Sequence, residues 1–165
     1  MAAGATYEPI ATTTLGSSAS SYTFTSIPAT YTDLIVIGQI KGTASTYLNV
    51  RFNSDTGSNY SRTIISGNGS SAISDRRSNQ TAIATDYNET IQTNFNYITT
   101  LHIMNYSNST TYKTLLGRPN NAANGSGASV GLWRSTSAIT SVSLVADSSA
   151  FDTGTTFTLY GIKAA

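Results

Sequence analysis

The tripeptide Asp-Thr-Gly occurs twice in this chain, at Asp55-Thr56-Gly57 and at Asp152-Thr153-Gly154. Aspartic proteases use two such aspartates that share one proton, so that one acts as base and the other as acid. In those enzymes the tripeptide follows an apolar strand. Here Asn53-Ser54 precedes the first copy and Ala150-Phe151 the second. Asp followed closely by Gly also builds turns, because the carboxylate caps backbone N–H groups and glycine accepts positive φ. The turn is the simpler reading of both copies. Asp55 and Asn59 offer oxygen ligands at close spacing, which makes this loop the first place to look for calcium. An EF-type loop would need more acidic positions and a terminal bidentate Glu, and Glu8 and Glu89 are the only glutamates.

His102 is the single histidine, so a Ser-His-Asp site would have to use it. It stands in a strand pattern between Leu101 and Ile103. Cysteine is absent, so no thiol can attack a substrate or bind a metal, and no disulfide holds the fold. These residues lead us to expect no enzyme, no cofactor and no metal.

Binding chemistry is better supplied. Ten tyrosines and Trp133 could stack on sugars, and Tyr60, Tyr87, Tyr106 and Trp133 lie near Asn-rich loops that could bond hydroxyls. Aromatics at alternate strand positions are also ordinary core or cross-strand pairs. The pair Arg76-Arg77 reads as a solvated loop or an interface contact, since two arginines make no nucleic-acid site. The sequons at Asn59, Asn68 and Asn108 follow from the abundance of Asn, Ser and Thr. The N-terminal stretch has neither the basic region nor the apolar run of a secretory signal.

The elements that must position these residues are strands. Only 10% of the residues are charged, where an ordinary domain carries about 25%. Ser, Thr and Asn fill about two positions in five, alternating with aromatic and β-branched residues. The net charge is +1, which gives no electrostatic case for nucleic acid or an anionic membrane. β-Proteins usually guard exposed sheet edges with charge, Lys above all. Here only Lys41, Lys113 and Lys163 are available, so the edges are expected to be covered within the fold or by other subunits.

Residues 1–19 read as an extended N-terminal arm that adds a strand late, with Tyr7, Pro9 and Ile10 as its contact points. Residues 20–165 read as one β-sandwich domain. Ser21–Ile27, Asp33–Lys41, Tyr47–Phe52 and Tyr60–Ile65 are strands; Asp33–Lys41 is apolar on both faces, as a central strand is. Gly67–Asn94 reads as long surface loop with one short strand near Ile83. Asn94–Tyr106 and Thr111–Gly117 form a hairpin, and Arg118–Gly127 a loop with Asn124-Gly125 at its tip. Ser129–Arg134, Ile139–Ala146 and Thr155–Lys163 complete eight or nine strands. The expected fold is all-β, an antiparallel sandwich, jelly-roll-like, with the arm.

The segments SYTFTSIPATYTDLIVIG (Ser21–Gly38), LNVRFNSDTGSNYS (Leu48–Ser61) and GTTFTLYGIK (Gly154–Lys163) resemble small β-sandwich virion proteins of tailed bacteriophages. The resemblance implies a non-enzymatic, oligomeric part of a virus particle, made in the bacterial host cytoplasm. It brings no catalytic residues. The chain shows no fibre shaft, coiled coil or collagen-like repeat. A capsid decoration (cement) protein is therefore the first expectation: a homo-oligomer, as a trimer, with other virion proteins such as the major capsid protein as partners and with Tyr7, Pro9, Ile10, Arg76 and Arg77 as interface residues. The alternative is a tail or fibre component that binds host glycans through Tyr60, Tyr87, Tyr106 and Trp133. Neither reading involves nucleic acid or membrane.

Overall fold

A computed structural model of the chain describes residues 6–86 and 90–163. Strand alternation turns into two faces most plainly at β4 (Leu48–Phe52), where Leu48, Val50 and Phe52 are fully buried and Asn49 and Arg51 are not. The same period of two runs through β5 (Tyr60–Gly67), β8 (Tyr97–Met104) and β12 (Thr156–Ile162). The remaining strands are β1 (Tyr7–Thr14), β2 (Ser21–Phe24), β3 (Asp33–Ile40), β6 (Ala72–Gln80), β7 (Ile83–Ala84), β9 (Lys113–Asn121), β10 (Gly125–Trp133) and β11 (Val142–Ala146).

They form two antiparallel sheets packed as a sandwich, one of eight strands in the order β1-β12-β3-β8-β9-β10-β5-β6 and one of four in the order β2-β11-β4-β7. The core lies between them. Leu34, Val36, Leu101, Leu115 and Leu159 of the large sheet meet Phe24, Val50, Phe52 and Leu144 of the small one. Each such side chain contributes roughly 1.5–3 kcal/mol by leaving water. One end of the core is aromatic: Trp133 stacks on Tyr60 with centroids 6.3 Å apart and meets Phe52 at 5.6 Å.

Three expectations from the sequence change. The first is the arm, because no extended N-terminal arm is present among the described residues. Tyr7–Thr14 is instead the outermost strand of the large sheet, paired with β12 from Tyr7↔Ile162 to Thr14↔Thr156 with a bulge between Pro9 and Ala11. Ile10, Ala11 and Leu15 pack on the core, and threonine hydroxyls meet across the ladder at Thr12–Thr158 (3.2 Å) and Thr14–Thr156 (3.1 Å). At the other end of β1, Glu8 pairs with Lys163 at 2.6 Å and accepts the Tyr31 hydroxyl at 3.3 Å. The Tyr31 ring lies over Gly161, where any side chain would collide with it.

Second, part of the stretch read as a long loop is β6, a nine-residue strand at the opposite edge. Its Ser, Asp, Arg and Asn residues face water on both sides, and such a strand carries no hydrophobic alternation. Third, β9 and β10 continue through residues 118–127, leaving only Ala122–Asn124 as the turn. Turn-like residues such as Pro119 and Asn120 are held in a strand because β8 lies alongside, with Thr99 opposite Pro119. Both edges of the large sheet are therefore guarded by devices other than lysine: a proline and a bulge on β1, and Asp75, Arg76 and Arg77 on β6.

Candidate functional site

Asp55 follows β4, and Asp152 lies in the β11–β12 connection beyond the other end of the β4–β11 pair. The sandwich keeps the two carboxylates apart, and each has partners of its own. Asp55 accepts the Gly57 N–H at 2.8 Å, the Asn59 side-chain amide at 2.9 Å and the Trp133 indole N–H at 2.7 Å. The indole bond, then the Asn59 bond, holds its carboxyl below the ordinary value of 3.8. Its oxygens are thus satisfied by donors from the protein, with no cation needed. Asp152 accepts the Thr153 N–H at 2.8 Å with its carboxylate, and its backbone carbonyl accepts the Thr155 N–H at 3.1 Å while Gly154 takes φ 85°. Both copies of the tripeptide are turns.

The aromatic residues singled out for glycan stacking are core residues. Tyr60 and Tyr106 are fully buried and Trp133 nearly so. The Tyr60 hydroxyl accepts the Phe52 N–H at 3.1 Å and donates to the Asp55 carbonyl at 3.1 Å, and burial pushes its pKa up to about 12. The Tyr106 hydroxyl donates to the Pro28 carbonyl. None of the three presents a ring face to solvent. Tyr87 lies outside the described residues.

His102 is bonded through Nε2 to Asp33 at 2.9 Å, and the other Asp33 oxygen accepts the Asn105 N–H at 2.7 Å. Among the described residues no hydroxyl is bonded to the imidazole, so the pair has no nucleophile beside it. No group of three or more His, Asp or Glu side chains converges among the described residues. Two cations are buried. Arg62 donates to Asp75 at 3.0 Å and to the Asp86 carbonyl at 3.1 Å. Lys113 donates to the carbonyls of Thr111 and Thr136, and burial pushes its pKa down. Both tie strands to neighbouring connections. A cleft of about 220 Å³ beside Arg62 is polar, and its Asn49 and Asp147 are bonded to each other at 2.8 Å.

The residues that stand apart lie on the outer face of the eight-stranded sheet. Eight large apolar side chains are exposed among the described residues, and six of them, Tyr7, Ile37, Ile65, Ile98, Leu116 and Val130, belong to this face. Leu116 and Val130 are register neighbours, and Ile65 lies two residues along β5 from the Thr63 that pairs with Val130; Thr100, His102 and Arg118 lie between these and Ile37 and Ile98. One row of register partners runs from Pro9 through Tyr160, Ile35, His102, Leu116 and Val130 to Thr63 and Arg76. Ile65 is 60% exposed, and Leu116 and Val130 are each 42% exposed. The outer face of the small sheet is the opposite in character. Thr23 donates to Ser143 at 3.0 Å and Arg51 to the Thr81 carbonyl at 3.0 Å. The outer face of the large sheet carries exposed apolar side chains among its polar ones.

Of the residues named from sequence as contacts, Tyr7 and Pro9 lie on the apolar face and Arg76 at its edge. Ile10 packs on the protein's own core, and Arg77 pairs with Asp75 at 3.3 Å. The sequence reading missed Ile37, Ile65, Ile98, Leu116 and Val130. For Ile65 and Leu116 the signal is the apolar doublet inside a strand, Ile64-Ile65 and Leu115-Leu116, which sends one residue to each face; Val130, between Ser129 and Gly131, carries none. Compared with known proteins, the chain matches no family model and no curated protein.

Proposed function

We propose that this protein is a non-enzymatic structural subunit of a bacteriophage particle, and that it decorates the capsid and stabilises the shell. The observation that carries the structural-subunit reading is the group of exposed apolar side chains on the outer face of the large sheet, which no element described in the chain covers. A surface of that kind marks a protein interaction site. The resemblance of three segments to tailed-phage virion proteins supports a virus particle as the setting of that interaction. The strand order supports a jelly-roll-like arrangement. Apart from the hairpins β5–β6, β8–β9 and β9–β10, every connection passes from one sheet to the other.

A decoration subunit stabilises by mass action, because it binds the assembled shell and not its free parts. At a concentration 100 times its Kd, one site adds about 2.7 kcal/mol to the assembled state. No step in that function requires catalysis. The test is to add the purified chain to empty capsids of tailed phage and record the capsid melting temperature. Co-sedimentation with a rise in melting temperature supports the reading. Binding to tails alone would remove the capsid assignment, and binding to neither would remove the particle.

A further inference from the structure

We propose that the outer face of the eight-stranded sheet is a self-association surface, on which a second copy of this chain packs face to face. The inference deepens the structural-subunit reading and rests on it.

The first argument is area. Eight strands at about 4.8 Å spacing and about 3.4 Å per residue present a face on the order of 800 Å². A stable protein pair buries about 800 Å² on each partner. The face therefore has the size that a single pairing needs. Stacked sheets meet about 10 Å apart with their strands within about 30° of alignment, which is how twisted sheets of this kind fit.

The second argument is charge. Away from the edges the face carries Arg118 and the His102–Asp33 pair, and Arg76 lies on its rim. Arg118 has no ion-pair partner among the described residues. A two-fold axis along the strands between β8 and β9, the middle of the strand order, sets β9 over β8 and β10 over β3. Val130 then faces Ile35, Leu116 faces His102, and Arg118 faces Thr100. The Arg76 edge meets the Tyr7 edge, where an aromatic ring can take a cation. No like charges oppose each other, so identical faces are compatible.

The third is shape. At the Ile65 end of the face, over β10, β5 and β6, lies a shallow depression of about 600 Å³ lined by Ile65, Ala72, Ser74 and Ala128. The small residues there leave room for protruding side chains from a partner, as close packing of two faces requires.

The experiment is sedimentation equilibrium of the full chain over a range of concentrations. The wild type is expected at the mass of two copies. Leu116→Asp and Val130→Asp place a carboxylate in the buried interface and should each weaken association about tenfold or more. Val145→Asp, the same chemistry on the small sheet's outer face, should leave the mass unchanged. Ile65→Asp is a second probe of the face. At 60% exposure its side chain gives up little packing within the subunit, and circular dichroism confirms that it is folded. If the wild type pairs but Leu116→Asp, Val130→Asp and Ile65→Asp pair as well as it does, the surface is wrong and the subunit reading stands. A mass of three copies likewise overturns the two-fold pairing alone. A wild type that stays monomeric up to about 100 μM overturns this inference, while the subunit reading is tested separately by capsid binding.

Discussion

The indole N–H of Trp133 on β10 donates to the carboxylate of Asp55, 78 residues earlier in the chain, at 2.7 Å. That bond ties the turn after β4, in the small sheet, to the large sheet beside the aromatic end of the core.

Replacing Asp55 by Ala should cost about 2 kcal/mol, largely because the nearly buried indole N–H loses its acceptor. The sign of the pH effect follows from the lowered carboxyl. A depressed folded-state pKa contributes stability that is complete above the unfolded value of 3.8 and is lost as pH falls through the folded value. Urea denaturation between pH 2 and 7 should show the wild type losing more stability on acidification than Asp55→Ala. Equal acid slopes would refute the role given to this bond.

Tyr60 should matter at the other end of the pH scale. Its pKa rises from 10.0 to about 12 in the fold. A raised pKa contributes stability that is complete below the unfolded value and is lost as pH climbs through the folded one. Stability should therefore fall between about pH 10 and 12. Tyr60→Phe should remove that component and cost about 1–3 kcal/mol at neutral pH, since the Phe52 N–H is left unpaired inside the protein. Ultraviolet titration of tyrosinate alongside thermal melts checks both halves.

Gly161→Ala should destabilise by about 1–3 kcal/mol, because the new methyl meets the Tyr31 ring at 2.3 Å and the ring must move. The displacement disturbs the Tyr31–Glu8 bond, so amide hydrogen exchange in β1 should accelerate more than in β8. Uniform acceleration across the large sheet would count against a local clash.

Arg76→Val with Arg77→Val should raise aggregation without unfolding the protein. The pair guards the nine-residue edge strand β6, and apolar replacements turn that edge into a template for further strands. Thioflavin T fluorescence and light scattering at a concentration where the wild type stays clear give the measurement.

Legibility in the sequence followed how local the signal was. β4 could be read residue by residue, because its inward and outward positions alternate without exception. The turn at Asp152 could also be read, since the bonds that close it, to Thr153 and Thr155, lie within three residues. The bond from Trp133 to Asp55 could not, because nothing near either residue announces a partner 78 positions away. β6 was hidden by its own situation: an edge strand wet on both sides looks like loop. Pro119 and Asn120 were hidden by the reverse, a tertiary pairing that overrides turn chemistry. The apolar face was half legible. The doublets Ile64-Ile65 and Leu115-Leu116 show that both sides of a strand are apolar, but a pattern of residues does not say which side the second sheet covers.

The pairing of β1 with β12 also sets a schedule. Thr14 emerges from the ribosome 142 residues before the Thr156 that it pairs with, so β1 has no ladder with β12 until β12 is complete. Everything between can fold while β1 waits. Closure of that edge should be a late and slow event, governed by the longest loop in the molecule. Until then the vacant edge of β12 can accept the β1 of another nascent chain as readily as its own. Where many copies are synthesised together, exchange of this first strand between neighbours is the error that this topology is most prone to make.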